Sequence, residues 1–246
     1  MELLIDIGNT NISMAVVKGK HFLKHFFIHT SKKNISVLSF KRLLGKYFSD
    51  LEKIIIVSVV PDLLNVFEKV FKRLSPGIPL IVVGKDLKVP IRNRYRKPME
   101  VGQDRLLTAF AAKGICASPV IAIDFGTAVT MDLVNKKGEY EGGLIFPGLR
   151  SALGALTDDT ALLPMVALKP AEGFIGRTTR ESMNNGIVLG YAAMCDGLIE
   201  KFKKKYGRSI NVIATGGDAA LVAKYSRHIK KIRPHLIFEG LRQIIR

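Results

Sequence analysis

The chain contains no tryptophan, only two cysteines, and 21 acidic against 38 basic side chains in 246 residues. Cys116 and Cys195 lie far apart, each in an apolar stretch of helical pattern. No disulfide framework is implied, and buried thiols in a reducing compartment are expected. No run approaches the about 20 apolar residues that cross a bilayer, and Asp6 interrupts the first apolar stretch where a secretory leader needs continuity. The expectation is a cytoplasmic protein without a membrane partner. The acidic shortfall leaves a net charge of +17, with basic residues gathered at Arg92 to Lys97, Lys201 to Arg208 and Arg227 to Arg233. That balance favours anionic partners such as nucleotides or an acidic small substrate. Aromatic side chains are sparse near these runs, which argues against a nucleic-acid partner and for a solvated basic face.

Familiar phosphate motifs are missing as well. No G-x-x-x-x-G-K-[ST] occurs, which excludes a P-loop, and no G-x-G-x-x-G follows a strand, which argues against a dinucleotide fold. Asp124-Phe125-Gly126 spells the protein-kinase triplet, but no His-Arg-Asp loop precedes it and its surroundings read as a hairpin.

What is present begins with Leu3 to Val17, two apolar strands joined by a polar turn. Gly8 lets backbone approach a ligand closely, while Asn9, Thr10, Asn11 and Ser13 offer amide and hydroxyl donors suited to phosphate oxygens. Asp6 would repel bare phosphate, so a Mg²⁺ shared with the phosphates is its expected partner. The pattern returns half a chain later in Val120 to Val134, where Asp124-Phe125-Gly126-Thr127 repeats the acidic and glycine punctuation. Two such hairpins predict two related halves, residues 1–117 and 118–246, each presenting its turn to a shared cleft. Either hairpin alone also fits an ordinary glycine-containing turn.

With 48% hydrophobic and 24% charged residues the chain can bury a sizeable core. His21, His25 and His29 lie on a third predicted strand, about 13 Å apart in succession and too distant to share one ion. Leu38 to Phe48 reads as a helix. Ile54 to Val60 is a buried β-branched strand, Pro61 opens a helix through Leu74, and Leu80 to Val83 is another strand, an α/β order. Glu141 to Leu149 reads as a glycine-rich turn and Ala155 to Pro164 as a loop. Thr178 and Glu181 have capping-box spacing at the start of a long helix, which leaves the Thr179 hydroxyl to a ligand or to the helix alone. Asn211 to Ala214 is a last strand before the Thr215-Gly216-Gly217-Asp218 turn, and the tail ends in a short helix. Asp104 and Arg105 fall in the first turn of a helix closed by Gly114. The helix dipole favours a carboxylate there, which leaves Asp104 either a simple cap or a group with a chemical role.

The set Asp6-Ile7-Gly8-Asn9-Thr10, Ser58-Val59-Val60-Pro61, Val101-Gly102-Gln103-Asp104-Arg105, Asp124-Phe125-Gly126-Thr127-Ala128, Gly142 to Gly148, Thr179 to Gly186, Thr215-Gly216-Gly217 and Gly240-Leu241 resembles the type III pantothenate kinase family. Order and spacing match over nearly the whole chain. The resemblance implies a two-lobed, duplicated α/β fold of the ribonuclease H-like acetate and sugar kinase, Hsp70 and actin class. It further implies a homodimer, ATP-dependent phosphorylation of pantothenate in coenzyme A biosynthesis, Mg²⁺ with ATP, and a monovalent cation, K⁺ or NH₄⁺. By position it assigns Asp6, Ile7, Gly8, Asn9, Thr10, Asn11, Ile12, Ser13 and Thr127 to ATP, and Asp124 to K⁺. It assigns Tyr95, Gly102, Gln103, Asp104, Arg105 and Thr179 to pantothenate, with Asp104 as general base. A base there fits the chemistry, because the primary hydroxyl of pantothenate must lose a proton as it attacks the γ-phosphoryl group.

Thr178 stands where the family often has Asn or Ser, and the basic excess is not a family signature. One relative, the Bvg accessory factor, is described as a regulatory protein. Two other readings therefore stand beside the kinase: a regulatory protein of this fold that binds nucleic acid or a partner through its basic face, and a kinase for another small hydroxy acid.

Overall fold

The computed structural model describes residues 1–31 and 35–245. Strands β1 (Glu2–Ile7), β2 (Asn11–Lys18) and β3 (His21–His29) form an antiparallel meander, after which the chain crosses through helix α1 (Val37–Leu44) to strand β4 (Lys53–Ser58). Helix α2 (Pro61–Leu74), with proline in its first turn where no intrahelical donor is lost, leads to strand β5 (Leu80–Val82). The sheet order is β3-β2-β1-β4-β5, with β4 parallel to β1 and to β5.

After helix α3 (Gln103–Ile115) the scheme repeats. Strands β6 (Val120–Phe125), β7 (Ala128–Val134) and β8 (Tyr140–Pro147) form a second meander. Helices α4 (Leu149–Asp158) and α5 (Thr179–Tyr206) cross to strand β9 (Asn211–Thr215), parallel to β6 in the order β8-β7-β6-β9. A single parallel bridge from Ala214 to Ile232 stands where β5 stands in the first sheet. Helices α6 (Ala219–Ala223) and α7 (Leu236–Ile244) complete the chain. The same succession, three antiparallel strands and then a helical crossover to a parallel strand, therefore occurs twice.

The chain divides into two compact units, Met1–Pro90 with Met99–Ala111 and Ile237–Arg246, and Ile91–Pro98 with Ala112–Leu236. Each has its own core. In the first, Leu3, Ile5 and Ile7 of β1 pack with Ile54 and Ile56 of β4 against Phe40, Phe67 and Phe71. Those three rings lie with centroids 4.9 to 6.0 Å apart, and burying each contributes about 1.5–3 kcal/mol. In the second, Ile121, Ile123 and Phe125 of β6 pack against Leu149 of α4 and Ala192, Cys195 and Ile199 of α5. Because strand side chains alternate, Asp6 and Asp124 point to the faces opposite these cores.

Several predicted boundaries move. The helix expected from Leu38 to Phe48 stops at Leu44 and continues as a 3₁₀ segment, Gly45–Asp50. Glu141 to Leu149, read as a turn, is β8 followed by the start of α4. Tyr140, Gly142, Leu144 and Phe146 alternate inward, and two glycines in the run hide that period from the eye. Leu149 and Leu153, buried four residues apart, mark the helix that follows.

Cys195 is buried in the second core, and burial next to Asp196 pushes its thiol up to about 12. Asp196 itself accepts from the Ser226 hydroxyl at 2.5 Å and from the N–H groups of Arg227 and His228 at 2.8 and 3.2 Å. Burial works to raise its carboxyl, but these bonds outweigh burial and hold it below the usual carboxylate range. A carboxyl depressed by folding adds stability above its unfolded pKa of about 4 and loses it as pH falls through the folded value. Asp196→Ala is expected to cost about 2–4 kcal/mol at pH 7, because buried donors lose their acceptor. The difference from wild type should shrink in acid. Urea melts at pH 7 and at about pH 3 check both; equal stability at pH 7 would contradict the assignment.

Candidate active site

In the first unit, Asp6 sits one residue before the end of β1, in register with Ser13 on β2 and Val57 on β4. The β1–β2 turn is closed by Gly8 N–H donating to the Asn11 carbonyl at 3.0 Å. The end of β3 ties it down: the Thr30 hydroxyl donates to Gly8 O at 2.8 Å and Thr30 N–H to Thr10 O at 2.8 Å. Asn9 and Asn11 are exposed on this braced turn, whereas Ile7 and Ile12 are fully buried beneath it and can meet a ligand only through backbone.

The same unit brings the start of α3 to this strand end. Val59, just past β4, donates its N–H to Ile7 O at 3.1 Å. The Asp104 carboxylate folds back onto Gly102, where a Cβ would collide with its Oδ1 and would lie 3.8 Å from Val59 Cγ1. Only glycine at 102 leaves room for that seat. Gln103 packs its side chain on Gly84, beyond β5, and so anchors the helix start a second time. Asp104 and Arg105 are half-buried in the first turn, where free N–H groups and the helix dipole favour negative charge. Asp6 to Ser13 and Gly102 to Arg105 thus belong to one neighbourhood.

In the second unit, Asp124 is in register with Thr130 on β7 and Thr215 on β9, two hydroxyl-bearing neighbours. Its carboxylate rests against Gly216, which has φ +90°; a Cβ there would stand 2.5 Å from Asp124 Oδ1 and from the Phe125 carbonyl carbon. Thr127 is exposed at the turn, and its carbonyl accepts from Gly148 N–H at 3.0 Å and from the Ser151 hydroxyl at 3.3 Å. Asp218 N–H donates to Phe125 O at 3.3 Å while its carboxylate pairs with Arg150 at 2.9 Å. Arg150, Ser151 and Asp218 thus brace the second turn. Sequence reasoning missed the first two because α4 was not recognised, and the Leu149–Leu153 spacing was the available signal.

Tyr95 and Thr179 stand on other elements of this unit. The Tyr95 ring lies over Gly142 of β8, and its N–H donates to Asn93 Oδ1 at 2.9 Å. Thr178 caps α5 by accepting from Glu181 N–H at 3.2 Å, and Glu181 Oε2 accepts from Arg177 N–H at 2.7 Å. Thr179, the first helical residue, is exposed, while the cap is Thr178.

Among the described residues no three His, Cys, Asp or Glu side chains gather as a metal cage, and His21, His25 and His29 are spread along β3. The donor set at each turn is instead a single carboxylate with nearby hydroxyl and backbone oxygens. That suits a nucleotide-borne Mg²⁺ at Asp6, where phosphates and water supply the remaining ligands, and a weakly held monovalent ion at Asp124.

A family model described as type III pantothenate kinase matches residues 2–201. The type III pantothenate kinase of Sulfurihydrogenibium sp. (strain YO3AOP1) is 40% identical, over 91% of this chain and 91% of its own length. That of Geotalea uraniireducens (strain Rf4) is 39% identical, over 98% of this chain and 96% of its own. Among solved structures, a candidate Baf family transcriptional activator from Campylobacter jejuni aligns with TM-score 0.61 and 20% identity over 99% of this chain and 96% of that one. A candidate N-acetylglucosamine kinase from Porphyromonas gingivalis aligns with TM-score 0.52 and 14% identity over 99% and 98%. At such identities the likeness concerns the fold alone, a duplicated α/β arrangement.

Proposed function

This chain belongs to the type III pantothenate kinase family, and from that premise we propose that it phosphorylates pantothenate with ATP through Asp104 as general base. The product is 4'-phosphopantothenate, and the reaction is the first step of coenzyme A biosynthesis. The observation that carries the residue assignment is the Asp104 carboxylate, seated on Gly102 in the same neighbourhood as the Gly8 turn.

In this reading Asp6, Ile7, Gly8, Asn9, Thr10, Asn11, Ile12 and Ser13 receive the ATP phosphates through N–H, amide and hydroxyl donors, and Thr127 adds a further contact. Functionally the chain then divides into 1–117, with the first hairpin and the start of α3, and 118–246, with the second hairpin, α5 and the Gly216 turn. Tyr95, Gly102, Gln103, Arg105 and Thr179 contact pantothenate. Its primary hydroxyl oxygen bonds to the γ-phosphorus as the bond to the β,γ-bridging oxygen breaks and ADP leaves. Asp104 orients the hydroxyl and takes its proton late in the transfer. Arg105 and the N-terminal amides of α3 supply positive potential for the charge on the moving phosphoryl group.

Asp6 would hold Mg²⁺ together with the phosphates, and Asp124 would hold K⁺ or NH₄⁺. When bound, such ions neutralise phosphate charge. Turnover is expected to be about tenfold or more higher in K⁺ or NH₄⁺ than in Na⁺, the scale of one interaction worth about 1.4 kcal/mol. Equal rates in the three salts would remove the cation from Asp124.

We further propose a homodimer in the cytoplasm. Leu162, Met165, Phe174 and Ile175, all strongly exposed in the stretch before α5, support a partner surface. No helix among the described residues is long and apolar enough to cross a membrane. Pantothenate-dependent release of ADP, screened against other small hydroxy acids, tests the reaction. ADP release that another hydroxy acid stimulates more strongly would reassign the substrate.

A further inference from the structure

Two basic runs of the sequence play no part in that chemistry, yet they come together in the second unit. Asp196 on α5 fixes the Ser226 to His228 turn, and Lys203 Nζ then lies 2.9 Å from His228 Nδ1. Beside them is a hollow of about 440 Å³, with Ile115, Ile210 and Val212 on its apolar side and Lys203, Lys230 and Lys231 among its lining. It opens where β6 and β9 begin. Asp124 and Gly216 lie at the other ends of these strands, and a strand of this length spans about 17–20 Å.

The charges lining this hollow do not balance. Glu200 is shared, its Oε1 lying 3.2 Å from Lys203 Nζ and 2.6 Å from His228 Nε2. Lys231 is half-buried, and among the described residues its ammonium meets the Ile115 carbonyl at 3.5 Å and the Cys116 thiol at 3.4 Å, with no carboxylate in ion-pair range. Lys230 donates to the Ser226 carbonyl at 3.4 Å. Among the described residues, Lys203 thus shares Glu200 with His228, while Lys230 and Lys231 bond only neutral acceptors. A partly desolvated ammonium bonded to neutral acceptors at long range gains from a phosphate oxygen. The volume falls in the range of small-molecule sites, and the lining sets Ile210 and Val212 beside a polar side made of Lys203, Asn211, His228, Lys230 and Lys231.

We propose that this hollow is a binding site for a small phosphate monoester with an apolar body. The dianionic phosphate sits among Lys203, Lys230 and Lys231, and the apolar part lies on Ile210 and Val212. The site is separate from phosphoryl transfer and does not depend on the kinase reading.

Phenyl phosphate is a suitable probe, titrated into the full chain by calorimetry and by amide NMR. Saturable binding is expected, with shifts at Asn211, His228 and Lys231. Lys203→Gln with Lys231→Gln should weaken it about tenfold or more, the scale of a lost charge-assisted contact, while Lys204→Gln with Lys205→Gln, exposed on the same helix, should change it less than about twofold. Lys231→Met alone serves if the first pair melts early. Phenol should bind at least about tenfold more weakly than phenyl phosphate. The proposal is overturned if no saturable binding occurs or if shifts are confined to Gly8 to Asn11. It is equally overturned if both lysine pairs weaken binding alike, as a diffuse nucleic-acid surface would show with duplex DNA.

Discussion

Asp104→Asn is expected to lower kcat by about two powers of ten or more while leaving the fold intact, the scale of a lost general base. The amide matches the carboxylate in shape, so the seat on Gly102 survives, and the melting temperature should stay within a few degrees of wild type. What disappears, on the proposed role of Asp104, is the capacity to accept the hydroxyl proton. On the proposed role of the Gly8 turn in holding the ATP phosphates, the KM for ATP should change little, and the loss should appear in kcat. A plain capping role predicts the opposite pattern. Asparagine caps helices about as well as aspartate, so turnover would then be near that of wild type.

Gly216→Ala is expected to destabilise the chain by about 2–4 kcal/mol, through a strained positive φ and a forced clash. The added methyl would stand 2.5 Å from Asp124 Oδ1 and from the Phe125 backbone, so either the turn or the carboxylate must move. On the proposed K⁺ role of Asp124, any activity that survives should show no preference for K⁺ over Na⁺. Gly217→Ala is the control: its Cβ would meet nothing within 4 Å, and its stability should change by less than about 0.5 kcal/mol. Thermal melts of the two variants decide the matter, and equal stability would contradict the packing described around Asp124.

Much of the fold was legible in local patterns. The two hairpins read directly, because apolar alternation and an acidic residue before a glycine turn are short-range features, and the structure sets Asp6 against Ser13 and Asp124 against Thr130 as such hairpins require. Strand β8 and helix α4 were not legible, because two adjacent glycines, Gly142 inward and Gly143 outward, blank the alternation of the strand and a glycine begins the helix without a side-chain cap. At the candidate site, the identities of Asp6, Asp104 and Asp124 stood out in the sequence, but the contacts that hold them did not. Gln103 meets Gly84, and Arg150 meets Asp218, across stretches of chain that no periodicity links. The convergence of the Lys201 and Arg227 runs was hidden for the same reason, since it depends on Asp196 holding the Ser226 turn against α5.

Phosphorus NMR of the wild-type chain and Asp104→Asn, each incubated with ATP, Mg²⁺, K⁺ and pantothenate, tests the central claim most directly. The account predicts that a phosphate-monoester resonance on the primary hydroxyl of pantothenate grows with ADP in the wild type and is suppressed in the variant. An equal rate of monoester formation in both proteins, or ADP with no phosphorylated pantothenate, would contradict it.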